Sequence, residues 1–325
     1  MLKLVRLLAA TFTLSVASLC AYGHPAQGSW EISGDYLYLL PTVDDTFFVT
    51  NSPTTTTFPN GKRENNDFHF HSGYRVGGAY GLTEARQFQV YYTHLGVDRS
   101  KTVSGSFLWA TLGRADLTSG FENYAGTATS NLHLLYQRVD GLIAQQAFAF
   151  DDANLFLNFG MEYAYLRLNE DYEYSITGGP LGTIEQRSKA WGIGPQMGME
   201  LDYALCEGFS WLSGNLMLKA CSSASLLTSR SSNAENNTLA GASILNTTES
   251  NTWRVIPALH ARVALTMDAC TCWGLASFEV GYEFNSYLRG LTRVSYPDDV
   301  ADGLAYNDYY NFDVQGLYLS ASLGF

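Results

Sequence analysis

The chain has 325 residues and a formal net charge of −12, with 46% hydrophobic, 14% aromatic and only 15% charged residues. Acidity without a basic stripe excludes a nucleic-acid binder, which must neutralise phosphates, and no segment beyond the amino terminus approaches the run of about eighteen apolar residues that a membrane helix needs. A chain with 21 Tyr, 18 Phe and 30 Gly but few charges suits strands that alternate between lipid and water.

Met1 to Gly23 carries Lys3 and Arg6, an apolar stretch from Leu7 to about Leu19, and then Ala21-Tyr22-Gly23. This is the pattern of a secretory signal peptide, with small residues before a cleavage that leaves His24 as the first mature residue and with export through the general secretory pathway. Its removal takes the net charge from −12 to −14, because the segment holds two bases and no acid. As a membrane anchor the apolar stretch is short and lacks a basic stop-transfer cluster. Cys20 raises a lipoprotein alternative, against which Leu19 stands where a small residue is needed.

The first predicted strand, about Ser29 to Leu40, places Trp30, Ile32, Tyr36, Tyr38 and Leu40 on one face and Glu31, Ser33 and Asp35 on the other. A polar loop from Pro41 to about Asn66 follows. The second strand, Asp67 to Tyr80, puts Phe68, Phe70, Tyr74, Val76 and Tyr80 outward and His69, His71 and Arg75 inward. A tight turn at Gly81 to Glu84 leads to the third, with Phe88, Val90 and Tyr92, and a second long loop spans roughly Asp98 to Ser130. In the fourth, Leu132, Leu134 and Tyr136 share one parity and Val139 and Ile143 the other, so a bulge near Arg138 is expected.

The fifth strand alternates Leu155, Leu157, Phe159, Met161, Tyr163 and Tyr165 with Asn158, Gly160 and Glu162, and the third loop holds Thr177 to Pro180. The sixth exposes Trp191, Ile193, Met197, Met199, Leu201, Tyr203 and Leu205 against Gln196, Glu200 and Asp202. Cys206-Glu207-Gly208 turns into the seventh, with Leu212, Leu216 and Leu218 opposite Asn215 and Lys219, and a Ser- and Asn-rich loop runs from about Ser222 to Asn251. The eighth sends Trp253, Val255, Leu259, Val263 and Leu265 outward and Arg254, His260 and Arg262 inward. Past a turn at Asp268 to Trp273, the ninth has Phe278, Val280, Tyr282 and Phe284 out and Ser277, Glu279 and Glu283 in. After a fifth loop, about Gly290 to Asn307, the closing strand alternates Leu317, Leu319, Ala321, Leu323 and Phe325 with Tyr318, Ser320, Ser322 and Gly324, its outer end shifting parity near Gln315-Gly316.

Strands this long exceed the five or six residues or so usual in a soluble sandwich and match a tilted crossing of hydrocarbon. In lipid the sheet must close, since an open edge leaves backbone groups unpaired. The expectation is all-β: an antiparallel up-and-down transmembrane barrel of about ten strands in one domain over residues 24–325, with short periplasmic turns and long extracellular loops, or about twelve strands if Phe107-Leu108-Trp109 starts a further hairpin. Closing-strand residues Leu317, Leu319, Ala321, Leu323 and Phe325 also read as the signal to the barrel-assembly machinery.

Three segments carry a family resemblance: Trp191-Gly192-Ile193-Gly194-Pro195 with Gly198 and Leu201, the turn Cys206-Glu207-Gly208-Phe209-Ser210, and Gln315-Gly316-Leu317-Tyr318-Leu319-Ser320-Ala321. The chain resembles, over about residues 30 to 325, the Legionella-type pore-forming major outer-membrane proteins, which also occur in chlamydia-like bacteria. The resemblance implies a pore-forming outer-membrane barrel surrounded by lipid, and it implies no catalytic residues.

The inward candidates for a pore lining are His69, His71, Arg75, Glu162, Gln196, Glu200, Asp202, Lys219, Arg254, His260, Arg262, Glu279 and Glu283. Mixed signs on an inner wall fit either of two states. The lumen is hydrated and passes small ions and solutes, or the charges pair across strands and fill the barrel, and ten strands lie nearer the filled end of the known range. A third class is an anchor whose Thr-, Ser- and Asn-rich loops bind partners. Asp67 and His69 share a face as a general base would require, but no nucleophile elbow or second acid accompanies them, so no enzyme is expected. His69 and His71 are two metal ligands without a third, and no cofactor is expected. Cys206, Cys270 and Cys272 fall in two periplasmic turns, where a bridge and free thiols are both open; a homo-oligomer is equally open.

Overall fold

The computed structural model describes residues 25–44, 46–54, 60–110, 124–150, 152–176, 178–209, 214–271, 274–295 and 306–325. Its strands are β1 (Trp30–Val43), β2 (Phe47–Asn51), β3 (Lys62–Asn65), β4 (His71–Thr83), β5 (Arg86–Ala110), β6 (Tyr124–Ala149), β7 (Ala153–Ile176), β8 (Gly179–Phe209), β9 (Gly214–Leu239), β10 (Ala242–Thr271), β11 (Gly274–Ser295) and β12 (Tyr306–Gly324). Ten of them close a ring, β1-β4-β5-β6-β7-β8-β9-β10-β11-β12 and back to β1, each neighbour antiparallel. The seam lies at the chain ends, where Trp30 N donates to Phe325 O and Phe325 N to Trp30 O, both at 2.9 Å. Closure leaves the lipid-embedded ladder without a free edge.

The other two strands form a hairpin of the first outer connection, and β2 pairs with the outer end of β5, Val49 opposite Ala110 and Asn51 opposite Leu108. The twelve-strand alternative is therefore corrected. Leu108 and Trp109 stay in β5 because β2 takes up their free edge, and the ring keeps ten strands.

The expected long outer loops also need correcting. β7 and β8 meet across residues 177–178, and β9 and β10 meet at Ala240-Gly241, so most of the stretch Ser222 to Asn251 is strand, as is much of Asp98 to Ser130. β8 runs 31 residues and β10 30, where about ten suffice to cross hydrocarbon, so the wall continues well above the membrane. There the ladder persists without an apolar stripe facing outward, held by its backbone and by cross-strand pairs such as Thr183 with Thr238 (2.8 Å) and Thr102 with Thr129 (3.0 Å).

On β7 the outward positions change from Leu155, Leu157, Phe159, Met161, Tyr163 and Tyr165 to Arg167, Asn169, Asp171 and Glu173, marking the upper edge of the lipid belt. At that height the inward positions become mostly apolar: Ala164, Leu166, Leu168, Tyr172 and Tyr174 are buried, with Glu170 the one charged residue among them. The apolar stripe thus changes face, serving lipid below and an internal core above. This explains two parity readings that the structure overturns. β6 has no bulge at Arg138, its register to β5 and β7 being continuous there, and Leu132, Leu134 and Tyr136 simply point into the core while Val139 and Ile143 point to lipid. β12 likewise runs unbroken through Gln315-Gly316, with Phe312, Val314 and Tyr318 inward and Leu317, Leu319, Leu323 and Phe325 outward.

Candidate functional site: the barrel lumen

The inward faces meet at three levels. In the periplasmic half a polar cavity offers about 150 Å³ to the centres of water molecules. Lys219 Nζ stands 3.9 Å from both Glu200 and Glu279, Arg262 Nε stands 3.9 Å from Glu279, and Tyr318 donates to Glu279.

Along the upper wall of the cavity the charges interlock. Arg75 donates to Asp35 (3.0 Å), Glu283 (2.6 Å) and Thr93 (3.1 Å), joining β4, β1, β11 and β5. Glu162, fully buried, accepts from His260 Nε2 (2.9 Å), Ser225 (2.6 Å) and Tyr287 (2.8 Å) and faces Arg138 at 3.6 Å. Arg138 in turn donates to Asp140 (2.8 Å) and Asn285 (3.0 Å). Gln196, its amide oriented to donate to Asp140 at 3.0 Å, accepts from Arg138 at 2.9 Å. Buried ions survive only when paired in this way.

The third level crosses the full width of the lumen. β6 and β11 are five places apart in the ring of ten, hence opposite, and their Tyr136 and Tyr287 hydroxyls are 3.2 Å apart. Phe312 closes the gap, its ring centroid 5.5 Å from that of Tyr136. Beyond Tyr287 the register of β11 slips before Leu291, with Arg289 at φ 56°, and the strand turns into the lumen. There Arg254 donates to Gly290 O (2.9 Å), Thr292 N donates to Ser188 Oγ (3.0 Å), and Arg293 grips Glu170 of β7 through both carboxylate oxygens (2.6 and 2.7 Å). At the mouth, fully buried Phe48 of β2 stacks on Tyr172, its carbonyl accepting from Tyr174 at 2.9 Å, and Asn66 donates to Ser130 O at 2.9 Å. Phe48 and Asn66 of the first outer connection are thereby packed onto the core.

Of the sequence candidates, Arg75, Glu162, Gln196, Glu200, Asp202, His260 and Glu283 are buried on inward faces, and His71, Lys219, Arg254, Arg262 and Glu279 are partly buried there. His69 is corrected: it precedes β4, is exposed, and takes a hydrogen bond from Arg99 at 2.7 Å. Asp67 accepts from Thr46 instead of meeting His69. Among the described residues no three His, Cys, Asp or Glu side chains group as metal ligands. The side chains of Cys206 and Cys270, and all of Cys272, lie outside the described residues, as does the segment Met1 to Gly23. Cys221 is a free thiol in the first third of β9, 3.8 Å from Arg262. Sequence reasoning missed Arg138 and Asp140, read as a bulge, and Glu170 and Arg293, read near or in loops; inward parity is the signal that marks them, at the level of the lipid belt for the first two and above it for the others.

The profile of a protein family described as "Legionella pneumophila major outer membrane protein precursor" matches residues 24–325. No curated protein matches the chain. Among solved structures it is similar to the outer membrane protease OmpT from Escherichia coli (9% identity, 94% of this chain and 100% of that one, TM-score 0.49). It is also similar to the toluene transporter TbuX from Ralstonia pickettii (12% identity, 93% and 92% covered, TM-score 0.28) and to the outer membrane protein AlkL (10% identity, 94% and 93% covered, TM-score 0.28).

Proposed function

We propose, from the premise that this chain belongs to the Legionella major outer membrane protein family, that it acts as a closed outer-membrane barrel anchoring the long extracellular β-structure that binds envelope or host partners. The observation that carries this reading is the contact of opposite walls, Tyr136 with Tyr287, above an interlocked charge network. Side chains that fill a lumen leave no path for passive diffusion. The reading includes export through the general secretory pathway and insertion by the barrel-assembly machinery, with Leu317 to Phe325 as the signal strand.

The test is single-channel recording in a planar bilayer with purified protein whose folding is checked by heat-modifiable gel mobility. The expected result is an absence of stable conductance steps; reproducible steps from folded wild-type protein would overturn it.

A second reading, a pore for small ions and solutes, is favoured by one observation besides the family resemblance. The inward face of β9 stays polar above the cavity, through Ser225, Ser229, Ser231, Asn233 and Asn237, with Leu227 as the one apolar break among them. For that wall to conduct, the β11 segment around Gly290 must leave the lumen, so steps appearing only in Arg254→Ala protein would favour a gated pore.

A further inference from the structure

Just above the lipid belt, β7 to β10 present one continuous outward row. Tyr165 pairs in register with Trp191, Trp191 with Arg230, and Arg230 with Trp253. One step higher, Arg167 pairs with Lys189, so three cations cluster on three adjacent strands beside three aromatic rings. The Trp191 and Trp253 rings meet edge-on at 6.4 Å with Arg230 on the strand between them, and Lys189 Nζ lies 5.5 Å over the Tyr165 ring. Among the described residues none of the three cations is paired with a carboxylate. Arg167 donates only to Asn169, at 3.2 Å, and Arg230 Nε is shielded from solvent without a hydrogen-bond partner. Arg187, another step higher, is different, being paired with Asp171 and facing Glu185 at 3.8 Å.

This concentration is unexpected in a chain with 31 acidic and 19 basic residues. Below it the wall is apolar and exposed, with Ile193 48%, Met197 63% and Val255 62% accessible. Acyl chains lying on that wall would bring their headgroup to the row above. Aromatic rings settle at the headgroup level, and unpaired guanidinium and ammonium groups there complement phosphate.

We propose that the row Tyr165–Trp191–Arg230–Trp253 with Arg167 and Lys189 is a binding site for a phosphorylated lipid of the outer leaflet. The acyl chains lie along Ile193, Met197 and Val255, and the phosphate is held by Arg167, Lys189 and Arg230. The site depends on lipid around the belt and not on whether the lumen conducts.

The test is native mass spectrometry of the folded barrel from micelles containing bisphosphorylated lipid A, its dephosphorylated counterpart, or inorganic phosphate. Retention of the phosphorylated lipid is expected, with affinity falling about fivefold for each of Arg167→Gln, Lys189→Gln and Arg230→Gln and about a hundredfold for the three together. Lys62→Gln combined with Arg63→Gln, which removes two exposed cations of β3, is the control and should change nothing. Equal retention of the dephosphorylated lipid, competition by inorganic phosphate at the lipid's own concentration, an unaffected triple variant, or an equal loss in the control would each overturn the assignment.

Discussion

Glu162 shows how one residue organises the lumen. Its carboxylate is fully buried and serves His260, Ser225, Tyr287 and Arg138 at once. Glu162→Gln leaves buried Arg138 with Asp140 as its remaining carboxylate, a loss of about 1–3 kcal/mol; urea unfolding followed by gel mobility should show it, and an unchanged midpoint would contradict the network. Glu235, above the lipid on β9, is only 2% exposed, and burial pushes its carboxyl above the usual range. Because the folded value is raised, the native state gains least where the carboxylate is ionised, so stability falls as pH rises past the ordinary value of about 4.3. Glu235→Gln should match wild type near pH 4 and exceed it in melting temperature at pH 7; a lower value at pH 7 would refute this. At this scale the sequence placed Arg75, Glu162, Glu200 and Glu283 on inward faces by parity alone, but which acid meets which base is invisible without the register and the ring.

At the scale of the strand, the belt was legible because lipid imposes a strict period of two on outward positions such as Leu155 to Tyr165. The upper wall was not, because its outward face is polar and its apolar positions lie on the other parity, so Leu132 and Phe312 mimicked register breaks. Long polar stretches such as Ser222 to Asn251 read as loops because neither face carries a lipid stripe, although the backbone ladder runs through them. Their tip is sharp: Ala240 at φ 50° and Gly241 at φ 83° form a two-residue turn that favours Asn-Gly. Ala240→Asn should stabilise the tip by about 0.5–1 kcal/mol, since Asn tolerates the left-handed region better than Ala. Slower amide exchange at Leu239 and Ala242 would register it, and faster exchange would contradict it.

For the whole molecule, sequence length and periodicity specified a closed antiparallel ring of about ten strands with outward lipid stripes, with twelve left open until β2 was seen to pair with the outer end of β5. The filling of the lumen was left open, because a mixed-charge inner wall is common to wet and packed barrels and only cross-lumen distances such as Tyr136 to Tyr287 separate them. The same packing ties Phe48 of the first outer connection to β7, so the mouth and the wall should lose structure together.

The reciprocal bonds between Trp30 and Phe325 join the first and last strands of the ring, so the sheet itself has neither a beginning nor an end. Which strand comes first in the chain is then not a matter of architecture. A permuted gene that joins Phe325 to Trp30 by a short linker and opens at Glu84-Ala85 preserves every strand neighbour, so its product refolds in detergent.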